Sequence, residues 1–287
     1  MSLWQVVLVG IIQGLTELLP VSSSAHVVVA EKLMGLDPSA PAMTLLLVML
    51  HTGTMFAVIV FFWSRWRNTF AQSQETLRSY VLFLILATAI TGVIGEVLIK
   101  LIEKFWFRGV RHSEVELLFS HLELIAPALA VVGVLILIAG FFADSNSAES
   151  NDSDLTAGRS SWIGAIQGLC LPFRGFSRSG ATISTAMLAG VDKKRAEDFS
   201  FALAVILTPP VVAREGWRLV KAGHANASIS LGSAAATSVL GLICAFIAGL
   251  LALKWLSRWL EGGKWYWFGI YCLIAAAAVG YLHHLGY

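Results

Sequence analysis

Gly10-Ile11-Ile12-Gln13-Gly14-Leu15-Thr16-Glu17-Leu18-Leu19-Pro20-Val21-Ser22-Ser23-Ser24-Ala25-His26 is the stretch that decides how this chain is organised. It lies inside an apolar segment, 3–34, yet sets Gln13, Glu17, Pro20, Ser22, Ser23, Ser24 and His26 in the middle of it. Irregular, polar backbone at membrane depth is tolerated only inside protein or beside water. The same form returns in 161–190, interrupted by Gln167, Pro172, Arg174, Gly175, Ser177, Arg178, Ser179 and Thr182. The two heads match as well. Gly10-Ile-Ile-Gln13-Gly14-Leu15 recurs as Gly164-Ala-Ile-Gln167-Gly168-Leu169, five positions of six at an offset of 154. Each segment is predicted to be a helix, a broken polar middle and a returning helix, a re-entrant hairpin that meets protein rather than lipid.

Outward from these segments the chain reads as membrane-spanning. Of its 287 residues 57% are hydrophobic and 13% charged, with a mean hydropathy of +0.75. A soluble domain needs roughly 25% charged residues to cover itself. A span takes about 20 apolar residues, and six stretches qualify: 43–63, 80–102, 124–142, 199–213, 231–254 and 265–285. Tryptophans at 63, 66, 255, 259, 265 and 267 mark span ends, as interfacial belts do. The expected fold is an all-α polytopic membrane protein, about six transmembrane helices plus two re-entrant hairpins. Residues 1–142 form a first repeat, 143–160 a polar linker and 161–287 a second repeat, all in one membrane domain. Three crossings separate the copies, so the repeats have inverted topology and both hairpins point at the midplane. The arginines and lysines of 64–79, 191–198 and 254–264 fall on one side, which the positive-inside rule makes cytoplasmic; 214–221 opposes this.

Several classes are excluded. A net charge of +2 without a basic stripe gives no nucleic-acid surface. Residues 1–12 lack a basic n-region, which predicts no cleavable signal peptide. Cys170, Cys244 and Cys272 have neither metal-ligand nor disulfide spacing and read as apolar filling.

The polar middles carry the chemistry. Ionisable groups at bilayer depth cost about 2.5–3.5 kcal/mol or more each, so their default reading is functional. Gln13 and Glu17 share a helix face at i, i+4. Pro20 stops that helix, and Ser22, Ser23, Ser24 and His26 follow in the turn and the returning helix. A hydroxyl beside a base is the minimum kit for an activated nucleophile; a serine that only caps the returning helix is the plainer alternative. In the second segment Ser177, Ser179, Gly180 and Thr182 enter a helix N-terminus, an anion site, and Arg178 adds a planar fork for phosphate oxygens. Together these favour phosphate-ester chemistry on a lipid. His51, Thr52 and Thr54 read as interhelical hydrogen bonds, with a role in the site as the alternative, Glu96 as a packing or dimer contact, and His283 and His284 as solvated. Gly92, Gly95, Gly241 and Gly249 fit close helix packing.

The run Gln13-Gly-Leu-Thr-Glu17-Leu-Leu-Pro20-Val-Ser22-Ser23-Ser24-Ala-His26, followed by Gly175-Phe-Ser177-Arg178-Ser179-Gly180-Ala-Thr182 and Phe199-Ser200-Phe201, resembles the bacterial undecaprenyl-pyrophosphate phosphatase family of the bacitracin-resistance type. The resemblance implies hydrolysis of undecaprenyl pyrophosphate, a polyprenyl pyrophosphate lipid, to undecaprenyl phosphate and inorganic phosphate, recycling the carrier of cell-wall polymers. It implies a site on the outer side of the plasma (inner) membrane, among membrane lipids, with a homodimer open. It implies Ser23 as nucleophile, His26 as its base or acid partner, Arg178 as clamp, and Gln13, Ser22, Ser24, Ser177, Ser179, Gly180 and Thr182 around the phosphates. It further implies a divalent cation, Mg2+ or Ca2+, with Glu17 acting through the metal or by proton transfer. Arg174 departs from the family's proline before Gly175. Type-2 phosphatidic acid phosphatases place a nucleophilic histidine where Ser184 stands here, which argues against their mechanism. The rival reading is a lipid-phosphate transporter or flippase using the same groups.

Overall fold

The computed structural model describes residues 1–36, 41–106, 122–146, 154–225 and 231–285. Among these all regular structure is helical: α1 (Leu3–Leu18), α2 (Ser23–Leu33), α3 (Pro41–Gln72), α4 (Gln74–Trp106), α5 (Leu122–Asn146), α6 (Ala157–Cys170), α7 (Arg178–Leu188), α8 (Lys193–Ala225), α9 (Leu231–Glu261) and α10 (Tyr266–His284). Six stretches are long and apolar enough to cross a membrane: Met43–Ala71, Gln74–Ile102, Glu123–Phe142, Lys193–Ala213, Ala236–Glu261 and Tyr266–His284. They correspond one for one to the six spans expected, with shifted ends.

The shifts have a common cause. An apolar window finds the most hydrophobic part of a helix, while the helix itself continues into more polar sequence. The expected loop 64–79 is almost wholly helix, since α3 runs to Gln72 and α4 starts at Gln74. The loops 191–198 and 214–221 belong largely to α8, and 254–264 largely to α9. Pro209 and Pro210 lie within α8 rather than ending it. Of the linker, 147–153 lies outside the described residues, and 157–160 already belongs to α6.

The chain forms two compact units. The first comprises Met1–Leu19, Ser23–Ser64 and Ala204–Leu256; the second comprises Pro20–Ser22, Arg65–Leu203 and Ser257–Tyr287. In the first, α1 packs on α9 through bare backbone. A Cβ on Gly10 would stand 3.0 Å from Gly241 O, and one on Gly14 2.5 Å from Ala245 O. Val6, Val9, Val27, Met43, Leu46, Leu50 and Ala245 fill the space beside this contact.

In the second unit α6 meets α4 in the same way. Gly164 faces Ala87 O, and a Cβ on Gly168 would stand 3.0 Å from Thr91 O. Gly10 and Gly164, Gly14 and Gly168, Ala87 and Gly241, and Thr91 and Ala245 are all pairs separated by the same 154 residues. The contacts of the two heads thus share the 154-residue offset seen between the heads in the sequence.

The second unit also buries an ionic cluster. Arg65 Nη1 lies 2.8 Å from Glu197 Oε2 and 3.2 Å from Asp198 Oδ1, and Ser257 donates to Glu197 Oε1 at 2.5 Å. Glu197 is fully buried. A buried carboxylate is tolerable when its lone pairs are filled in this way. The cluster ties the end of α3 to the start of α8 and the end of α9.

Candidate active site

Glu17 is the focus of the first motif. Pro20 forces the residue before it out of helical geometry, so α1 ends at Leu18 and Leu19 is extended at φ −77, ψ 151. Ser22 follows at φ 66, a left-handed conformation uncommon outside glycine and characteristic of functional turns. The turn brings the first residue of α2 back over the last turn of α1. There Ser23 donates its hydroxyl proton to Glu17 Oε2 at 2.5 Å, and Gln13 Nε2 donates to the same oxygen at 3.2 Å. The i, i+4 pair expected of Gln13 and Glu17 is present. Gln13 is buried and its amide holds the carboxylate. Ser24 and His26 occupy the first turn of α2, both half-buried.

His51 joins this group from α3. Its Nδ1 is 2.8 Å from Leu47 O and its Nε2 is 4.0 Å from Glu17 Oε2. The expectation of interhelical hydrogen bonds at His51, Thr52 and Thr54 is therefore corrected. Thr52 donates to Val48 O and Thr54 to His51 O, within their own helix. Hydroxyls in apolar helices bond back in this way when no neighbour offers an acceptor.

In the second unit the second motif forms the entry to α7. Gly175 sits at φ 98, and a Cβ there would meet Ile125 O at 2.5 Å, so the turn admits only glycine. Arg174 lies in the same turn, half-buried. Ser177 caps α7, accepting from Gly180 N–H at 3.3 Å, and its hydroxyl is 3.5 Å from that of Ser179. Arg178 is the first helical residue. Thr182 donates to Arg178 O at 2.8 Å and meets Ser200 Oγ at 2.6 Å. Both are buried, so Thr182 and Ser200 brace the turn that carries Arg178. The turn of the first motif shares this unit. Pro20 Cβ is 3.2 Å from where a Cβ on Gly180 would stand, and Cys272 donates its thiol proton to Pro20 O at 3.3 Å.

Other expectations change. Glu96 pairs with Lys100 at 3.0 Å one turn along an exposed helix face rather than serving as a packing contact. The solvated reading of His283 and His284 holds, since both are exposed, with His283 3.8 Å from Glu123. Gly92 faces open space, whereas Gly95, Gly241 and Gly249 do pack closely on neighbouring side chains. The sequence marks Ser200 only as part of the Phe199–Phe201 run, with no role of its own, and His51 first as a helix-packing residue. A polar residue within an apolar span was the available signal for both.

The cation implied by resemblance can be tested against these residues. Among the described residues no group of three or more His, Cys, Asp or Glu could hold a metal ion, and Glu17 Oε2 already accepts two hydrogen bonds. Hard cations take about six oxygen ligands. The donor set does not fit a resident, protein-held metal.

A multi-pass helical membrane protein that sets a serine hydroxyl on a carboxylate, and an arginine at a capped helix start, belongs to the class that handles anionic groups in the bilayer. Its family is narrower. The profile of the bacitracin resistance protein BacA matches residues 6–278, and the chain belongs to that family. It is 53% identical over 282 residues to an undecaprenyl-diphosphatase 2 of Acinetobacter baylyi, with 97% of each chain covered. An undecaprenyl-diphosphatase 2 of Burkholderia orbicola is 34% identical, over 96% of this chain and 95% of that one. An undecaprenyl-diphosphatase of Desulfosudis oleivorans is 33% identical over 94% of each.

Proposed function

We propose that this protein hydrolyses undecaprenyl pyrophosphate to undecaprenyl phosphate and inorganic phosphate, acting in the bacterial plasma membrane from a site open to its outer side. The observation that carries the reading is the 2.5 Å hydrogen bond from Ser23 to Glu17. A hydroxyl already aimed at a carboxylate is an activated nucleophile in the resting state. Membership of a family whose relatives are named undecaprenyl-diphosphatases supports the substrate.

Ser23 Oγ attacks the terminal phosphorus and its proton passes to Glu17. The bond from that phosphorus to the bridging oxygen breaks, and undecaprenyl phosphate leaves with a proton from His26. Water then attacks the phosphoserine, returning a proton to His26, while Ser23 leaves with the proton held by Glu17. Arg178 takes the phosphate oxygens, where a planar fork stabilises charge spread over a transferring phosphoryl group. Ser22, Ser24, Ser177 and Ser179 complete the phosphate surroundings. A divalent cation enters as the counter-ion of the pyrophosphate, with the substrate rather than with the protein. The 154-residue spacing shared by the packing pairs within each unit supports the reading of the chain as two repeats.

Detergent-solubilised protein supplied with undecaprenyl pyrophosphate and Mg2+ tests the reading. Steady release of inorganic phosphate is expected. Folded protein that binds the lipid and releases none would leave a carrier in place of an enzyme, since detergent removes any gradient.

A further inference from the structure

His51 is held in a way that helix packing does not require. A carbonyl only accepts, so the 2.8 Å contact to Leu47 O places a proton on Nδ1 and fixes the ring with Nε2 outward. That Nε2 faces Glu17 Oε2 at 4.0 Å, the oxygen on which Ser23 and Gln13 already converge. Around it, Leu50 is fully buried, Gly53 packs on Leu242, and Thr52 and Thr54 bond within α3. The His51 side chain, by contrast, is 39% exposed, beside a Glu17 side chain at 19%. The imidazole edge is thus presented to the accessible side of the carboxylate.

The spacing suits an oxygen atom. A separation of 4.0 Å is too long for a direct hydrogen bond, but an oxygen about 2.8 Å from both groups fits between them. The legs of 2.5 Å and 4.0 Å put Ser23 Oγ and His51 Nε2 no more than 6.5 Å apart. A phosphorus atom in attack position stands about 3–3.5 Å from its nucleophile, which brings its oxygens within reach of Nε2. Those oxygens also approach the Glu17 carboxylate, and a donor beside it offsets the repulsion between like charges.

We infer that His51 contacts substrate: its Nε2 edge hydrogen-bonds to a non-bridging oxygen of the phosphate that Ser23 attacks. The inference rests on the phosphatase reading and adds to it a residue of the phosphate site contributed by α3. The contact exists in ground state and transition state alike, so its loss raises KM more than it lowers kcat.

The test is the steady-state rate of phosphate release from undecaprenyl pyrophosphate by purified wild type, His51→Phe and His51→Gln, each checked for a single folded species by size exclusion and thermal unfolding. The expected result is a KM at least about tenfold higher in His51→Phe with kcat changed less, and a return to within about threefold of wild type in His51→Gln, whose amide N–H reaches the same place. Wild-type KM and kcat in a folded His51→Phe would overturn the contact, as would a fall in kcat alone that glutamine does not restore. Should His51→Phe fail to fold, His51→Leu gives the same comparison. An inactive wild type removes the phosphatase reading itself, whereas an active wild type with an indifferent His51→Phe removes only the role of His51.

Discussion

Replacing Glu17 with glutamine separates the two things its carboxylate does. Oε2 accepts from Ser23 at 2.5 Å and from Gln13 at 3.2 Å. An amide of the same length keeps an acceptor oxygen toward Ser23, so the turn and the position of the nucleophile survive. It cannot take up a proton at neutral pH. The lost function is general-base catalysis, which contributes about 10²–10⁴-fold, or roughly 2.7–5.4 kcal/mol in the barrier. Because phosphate binding is left to other groups, KM should stay within about threefold of wild type while kcat falls by that factor. The assay is initial-rate phosphate release in detergent across a range of undecaprenyl pyrophosphate concentrations, with the thermal midpoint confirming an intact fold. Glu17→Asp should be nearly as impaired, because one methylene less draws the carboxylate about 1.5 Å away from Ser23. A Glu17→Gln protein whose kcat matches wild type would refute proton transfer to Glu17.

Three further outcomes follow from the geometry. Arg178→Lys keeps the charge but loses the fork, and kcat/KM for phosphate release should fall about 10–100-fold. Arg65→Ala strands Glu197 and Asp198, whose partners lie 2.8 and 3.2 Å away; about 3–5 kcal/mol of stability should go, read as a large drop in the thermal midpoint, with Arg65→Lys losing less. Gly175→Ala must hold φ 98 with its Cβ 2.5 Å from Ile125 O; the backbone alone costs about 1–3 kcal/mol, so both thermal midpoint and activity should fall.

The sequence made the spans legible because lipid demands apolar surface. Their ends were not legible, because the more polar end of a helix, such as Arg65–Gln72 in α3, has no strong apolar signature. The Gln13–Glu17 pair was legible as well, since both residues lie on one helix and the period fixes their face. Pro20 marked the stop. Which serine the turn delivers to Glu17 was not, because Ser22, Ser23 and Ser24 differ only through backbone angles, and Ser22 adopts the unusual one. The partners of His51 and Ser200 were not legible for another reason. Each reaches its partner from a different helix, at a distance along the chain that no local spacing encodes. The repeat offset could be read from six residues, whereas the partner surfaces on α4 and α9 share little sequence and show the offset only once packed.

The most direct measurement sets Ser22→Ala, Ser23→Ala and Ser24→Ala beside wild type in the same phosphate-release assay. Ser23 donates its hydroxyl proton to Glu17 Oε2 at 2.5 Å. The account therefore predicts that wild type turns over undecaprenyl pyrophosphate, that folded Ser23→Ala loses about a thousandfold or more of kcat, and that the other two lose far less. Equal activity in Ser23→Ala and wild type, or a larger loss in either neighbour, would contradict it.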